Sequence, residues 1–263
     1  MNDLGSRIAP LTRRLQILLA LARSDLHIRY GRGRGQLIQW IVDPFALVGV
    51  YLLLRLMFDR GGEAPGLMLA CAVVPFQIIL FSCISAMSAV SLREPILMNM
   101  SFDRMLIPPS SVVTESLAFA ASFVMFPIAM IIYGVGPHLS LLWLPVVVAV
   151  ALILALGAAW PAALIGLWFP AVRTLASQGL RLLFFAAPGI VALSEVSDDV
   201  ERWIVYNPFT GLFESFRHVF VYGDSPAFWQ LAYPAAVGLA LALVFVPLYR
   251  REERHFAKLV GDN

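Results

Sequence analysis

The sequence predicts an all-α membrane protein with six transmembrane helices, an N-terminal amphipathic interface helix, and a short external re-entrant or interfacial helix before the last span. The first ground is composition: 60% of the 263 residues are apolar and 14% charged, with a mean hydropathy of +0.80. A water-soluble chain averages ~45–50% apolar and ~25% charged. The second is length, because the apolar residues gather into runs of about twenty, enough to cross a hydrocarbon core of ~30 Å. The third is a one-sided distribution of arginine among alternate loops, the asymmetry that orients membrane proteins. Residues 1–263 read as one membrane domain.

The first element is residues 11–30. Leu11, Leu15, Leu18, Ala22 and Leu26 recur at helical spacing, with Arg14, Arg23 and His27 mostly off that stripe. The apolar stretch is too short to span, so a helix lying on the membrane surface is expected. A signal peptide fits worse, since Arg23, Arg29, Arg32 and Arg34 follow the apolar run at once. Spans are expected at residues 37–58, 66–90, 111–133, 141–169, 174–193 and 228–249. Counting loops and tails, fourteen basic residues fall on the side of the two termini. Only Arg60, Arg202 and Arg217 fall on the other. Both termini are therefore expected in the cytoplasm.

Two connections exceed ordinary turns and are candidates for function. Residues 91–109, on the cytoplasmic side, hold Pro95 and the Pro108-Pro109 pair around a mixed segment that suits a short helix and a kinked approach to the third span. Residues 194–227, on the external side, begin acidic and turn at Asn207-Pro208. Thr210 is then placed to cap a helix whose Phe209, Leu212, Phe213, Phe216 and Phe220 share one face, and Gly223 to end it. About twelve residues are too few to span, which leaves a re-entrant half-helix or a plain amphipathic helix outside.

The chemical inventory argues against catalysis. The only lysine, Lys258, follows no glycine-rich phosphate loop, so the chain has no means of cradling a nucleotide. The four histidines lie on separate segments without metal-ligand spacing, and no metal site is expected. Cys71 and Cys83 stand twelve residues apart on one helix, too far to bond, and read as small core residues. A membrane-embedded glycosyl- or acyltransferase would need external carboxylates with a histidine, and Glu195 to Glu201 have none nearby.

Charges inside spans cost ~2.5–3.5 kcal/mol at mid-membrane and need an account. Asp43 and Arg55 lie near the ends of the first span, where they reach the interface. Glu115 and Arg181 fall at similar depth on the third and fifth spans. They are expected to pair, or to share Asp43, inside the bundle. Phe76, Phe81, Phe119, Phe123, Phe126 and Phe184 lie deeper than the aromatic belts. Packing accounts for them, and a channel lining on which sugar rings stack is the competing use.

The segment ARSDLHIRYGRGRGQLIQWIVDPF, with Arg29, Tyr30, Trp40 and Pro44, resembles the opening of permease subunits of bacterial polysaccharide-exporting ABC transporters. A stronger likeness is YNPFTGLFESFRHVFVYG, which is similar to that family's Asn-Pro signature and following amphipathic helix. Here it is formed by Asn207, Pro208, Glu214, Phe216, Arg217 and Gly223. The tail YRREERHFAKLV resembles the family's ending. Two departures stand out: GRGRGQ replaces a small hydrophobic turn, and FPAVRT before the fifth span lacks the usual aromatic-Arg-Asp order, which weakens any role copied onto Arg173.

The resemblance implies a homodimer joined by two copies of an ATP-binding-cassette subunit, which would bind the ATP and Mg, with no cofactor in this chain. It implies docking of that ATPase on the N-terminal helix and the 91–109 loop, where Arg29, Tyr30, Arg93, Glu94, Phe102 and Arg104 are the candidates. It also implies a lipid-linked polysaccharide of O-antigen, teichoic acid or capsule type crossing the inner membrane. The external gate would include Asn207, Pro208, Phe216 and Arg217. A drug or lipid exporter on the same scaffold is the alternative.

Overall fold

The computed structural model describes residues 16–25, 35–57, 64–92 and 103–252, and these are all-helical. Helix α1, residues 16–25, buries Ala22 and half-buries Leu18 while exposing Arg23, so the described part of the amphipathic stripe faces protein. Helix α2 runs Gly35–Met57. Helix α3, Pro65–Leu92, is apolar on every side and stands at the centre of the bundle, packed on α2 and on five later helices. A helix without a polar face must be covered all round. Its small residues Ala70, Cys71, Ala72, Cys83 and Ala86, all buried, let neighbours approach closely. Both cysteines are buried free thiols.

A 3-10 turn, Arg104–Leu106, leads into α4, Ile107–Ser122. The helix begins four residues before the expected start at 111, because Pro108 and Pro109 occupy its first turn, where missing N–H groups cost nothing. Asp103 caps the 3-10 turn by accepting from the Met105 amide at 3.2 Å. The predicted third span is also interrupted. Helix α4 gives way at Phe123-Val124 to α5, Met125–Tyr133, since Pro127 cannot donate to the Phe123 carbonyl and crowds it.

Helix α6, Leu144–Trp168, follows a 3-10 turn at Leu139–Trp143 and matches its predicted span. It meets α10, Phe228–Glu252, at a bare backbone contact: a Cβ on Gly157 would lie 2.0 Å from the Gly238 carbonyl oxygen. Between them, the predicted fifth span of 174–193 is shorter than expected. Helix α7, Arg173–Phe185, has 13 residues, about 20 Å at 1.5 Å per residue and short of a ~30 Å core. Pro188 stops it, and a buried bend at 187–189 follows.

Four stretches among the described residues are long and apolar enough to cross a membrane: Pro65–Ala89, Arg104–Tyr133, Leu139–Trp168 and Phe228–Glu252. The chain is a multi-pass membrane protein. One end of the bundle gathers Arg104, Arg173, Arg250 and Arg251, and the other gathers the acidic residues of 194–224. The basic and acidic ends are named for these groups below.

Candidate functional site

The acidic end is built around α8, Asp198–Ile204, and α9, Pro208–Arg217. Asp198, Asp199 and Glu201 fill the first turn of α8, where the helix dipole favours negative charge. The cap of α9 is Asn207, not Thr210: Asn207 Oδ1 accepts from the Phe209 amide at 3.0 Å, and Pro208 follows at the first helical position. Thr210 instead donates its hydroxyl to the Ile204 carbonyl at 2.7 Å. The last turn widens to a π-helical turn, His218–Tyr222, and Gly223 ends it at φ 76° above the His138 ring.

Helix α9 does not lie on a surface. Every residue from Phe209 to Arg217 is buried, and the helix packs on α3, α6 and α10. Gly211 makes this possible, for a Cβ there would meet the Gln230 backbone at 2.9 Å. Ser215 donates to the Gly211 carbonyl at 2.8 Å, which satisfies its hydroxyl within the helix.

Two charges sit inside this packed element. Arg217 Nη1 donates to Glu214 Oε1 at 2.6 Å, with side chains 0% and 5% exposed. Further bonds from both groups go to one strip of chain: Arg217 Nη2 donates to the Pro188 carbonyl at 2.7 Å, and the Leu193 amide donates to Glu214 Oε1 at 3.0 Å, while Arg217 Nε is buried without a hydrogen-bond partner. Asn207 Nδ2 donates to the Leu183 carbonyl at 3.0 Å. Three side chains of the 207–217 segment thus hold the end of α7 and its following bend against α9. Taking a charge out of water costs several kcal/mol unless it is paired and hydrogen-bonded.

The aromatic candidates converge on the same helix. Phe76 lies 5.0 Å from Phe184 and 5.3 Å from Phe209 between ring centroids. Phe126 stacks on Phe220 at 3.9 Å and on Phe216 at 6.1 Å. Phe119 and Phe123 extend the row. Phe76, Phe119, Phe126, Phe184 and Phe216 are all buried, so their faces are occupied by one another and none is open to a sugar in this conformation. Phe81 and Phe123 are half-buried.

Glu115 and Arg181, expected to pair with each other or to share Asp43, differ in burial. Glu115 is buried in α4, while Arg181 is on the exposed side of α7. A buried ion pair that the structure shows is Glu214–Arg217, whose sequence signal is a Glu and an Arg three apart on one helix. Arg104 is half-buried beside the start of α4, whereas Arg29, Tyr30, Arg93, Glu94 and Phe102 lie outside the described residues.

No family model matches the chain. It is similar to curated proteins over nearly its whole length. An O-antigen export system permease protein RfbA of Myxococcus xanthus is 26% identical over 251 residues, 93% of this chain and 95% of that protein. One of the same name from Klebsiella pneumoniae is 23% identical over 248 residues, with the same coverage. Over 93% of its length, this multi-pass chain is homologous to permease proteins of O-antigen export systems.

Proposed function

We propose that this chain is the membrane-spanning permease subunit of an ATP-driven exporter that moves a lipid-linked polysaccharide of O-antigen type across the inner membrane. The observation that supports it most is end-to-end similarity to O-antigen export permeases, joined to a membrane bundle without a phosphate-binding loop. ATP and Mg belong to a separate ATP-binding-cassette subunit, two copies of which serve a homodimer of this chain. Docking falls on the N-terminal helix and the 91–109 loop through Arg29, Tyr30, Arg93, Glu94, Phe102 and Arg104.

In this reading the chain crosses the bilayer six times with both termini in the cytoplasm, as the arginine asymmetry favours. Gly35–Met57 makes the first crossing, its 23 residues reaching about 34 Å. The fifth is shared between α7 and the bend after it. Helix α9 re-enters the external half of the bundle, where protein covers its backbone. With Asn207, Pro208, Phe216 and Arg217 it forms the external gate. ATP binding and gate opening then bias one two-state element.

The test is genetic and biochemical. Deletion removes long-chain surface glycan and leaves drug sensitivity unchanged. The purified complex shows ATP hydrolysis stimulated by lipid-linked glycan, and Arg93→Ala or Phe102→Ala uncouples it. Drug sensitivity with intact surface glycan would reject the reading.

A further inference from the structure

The end of α9 is tied to the start of α10 by a chain of three side-chain hydrogen bonds. Gln230, the third residue of α10, is buried where the two helices meet, and its backbone carbonyl accepts from the Ser215 hydroxyl at 3.3 Å. Its side-chain Oε1 accepts from the Ala227 amide at 2.8 Å. This is the glutamine half of a capping box, which satisfies one of the free N–H groups at a helix start. Gln230 Nε2 lies 3.2 Å from His218 Nε2, and His218 Nδ1 lies 2.5 Å from Asp224 Oδ1. His218 opens the π-helical turn and is partly buried, while Asp224 is exposed.

Donor and acceptor chemistry gives this chain one direction. The Ala227 N–H can only donate, so Gln230 turns its oxygen toward it and its NH2 toward His218. An amide NH2 donates and does not accept, so His218 Nε2 is the acceptor and carries no proton. The single imidazole proton sits on Nδ1 and goes to the Asp224 carboxylate. A second proton on His218 has no place in this arrangement, because Nε2–H would face the NH2 of Gln230. Turning the Gln230 amide over relieves the conflict. It also takes the acceptor away from the Ala227 N–H and opens the cap of α10.

We propose that His218 is a proton-operated latch: neutral, it locks the end of α9 to the cap of α10, and doubly protonated, it releases that cap while keeping Asp224 as its counter-ion. Histidine is the side chain that changes charge between about pH 5 and pH 8. Among the described residues, the other titratable groups around it do not take over this part. Glu214 and Arg217 on α9 pair with each other. The Tyr222 ring lies 5.1 Å away, and His138, before the turn that leads into α6, lies against Gly223. Helix α3, which packs on the π-helical turn, has no charged residue and two buried thiols, and α10 has no charge from Phe228 to Tyr249. Phenols and thiols stay neutral in acid. The latch rests on these bonds alone. Its consequence rests on the function proposed above, in which the acidic end faces outward and the latch ties the external gate to the acidity of that side.

The full assembly in nanodiscs is followed by amide hydrogen exchange around Ala227 at about pH 7.5 and about pH 5, on either side of histidine titration. Each rate is referred to that of an unstructured peptide of the same sequence. In the wild type, acid lowers protection of the Ala227 amide roughly fivefold, the worth of one hydrogen bond. His218→Gln takes up no proton and keeps the cap at both pH values. Gln230→Glu keeps it for a different reason, since a carboxylate accepts from the Ala227 N–H and the protonated imidazole at once. His138→Gln responds as the wild type does. An Ala227 amide that ignores acid in the wild type overturns the proposal. So does a response that survives in His218→Gln or Gln230→Glu, or one that disappears in His138→Gln. Surface glycan is then measured in cells grown at the two ends of the tolerated pH range. Export that changes with pH in the wild type and not in His218→Gln supports the tie to the gate. A responding latch with export indifferent to pH supports the latch and rejects the placing of the gate at α9.

Discussion

The Arg217 guanidinium and the Glu214 carboxylate meet at 2.6 Å on α9, both buried away from solvent, and between them they bind the Pro188 carbonyl and the Leu193 amide. The pair joins α9 to the segment after α7 at the acidic end. It is an i, i+3 contact in sequence and a long-range clamp in structure.

Breaking the clamp on one side leaves a buried charge without its partner. Arg217→Met or Glu214→Leu alone is expected to cost about 3–5 kcal/mol, read as a fall in thermal unfolding temperature of the detergent-purified protein. The double variant Glu214→Leu/Arg217→Met loses less than the two singles combined. Strict additivity would show that the charges act independently.

Asn207 has two separable duties. Asn207→Asp keeps the cap acceptor for Phe209 and loses the amide that donates to Leu183; Asn207→Ala loses both. Asn207→Ala is expected to destabilise by about 1–2 kcal/mol and Asn207→Asp by less. If tethering of α7 matters for transport, both lower glycan export in a complementation assay. Export retained by Asn207→Asp alone would assign the cap as the only contribution.

The helix crossings predict opposite outcomes for glycine substitutions. Gly157→Ala and Gly166→Ala each place a Cβ 2.0 Å from a backbone oxygen of a neighbouring helix and force α6 away from α10 or α3. Overpacking of this kind costs about 1–3 kcal/mol. Gly49→Ala meets nothing within 4 Å in α2 and is expected to be neutral or to stabilise by up to ~1 kcal/mol. Thermal unfolding of the three variants side by side distinguishes them.

Phe126 and Phe220 lie face to face at 3.9 Å with a 6° interplanar angle. Phe220→Leu retains apolar volume while removing the stack, with an expected loss of about 0.5–1.5 kcal/mol beyond area. Phe220→Ala costs about 3–5 kcal/mol. Equal losses for the two variants would mean that ring stacking contributes nothing.

Residues 66–90, 141–169 and 228–249 were legible as spans because uninterrupted apolar composition over about twenty-five residues has few other homes. The start of α4 was displaced because Pro108 and Pro109 read as a break, whereas they occupy a first turn that tolerates them. The end of α7 was overrun since apolar residues continue to Leu193. Pro188-Gly189 was the local sign that the helix stops. The glycine stop at Gly223 was readable from residue type alone, the Asn207 cap only after the fact.

By itself, the sequence determined that the chain is helical and membrane-embedded, that it carries no phosphate loop, and where its arginines concentrate. These follow from composition and from periods of a few residues, which local physics sets. Only the tertiary structure decided that Glu214 and Arg217 pair under cover while Arg181 stays exposed. It also turned the deep phenylalanines toward one another. Such choices depend on which helix faces meet, and among helices this uniformly apolar the sequence pattern hardly distinguishes one face from the next.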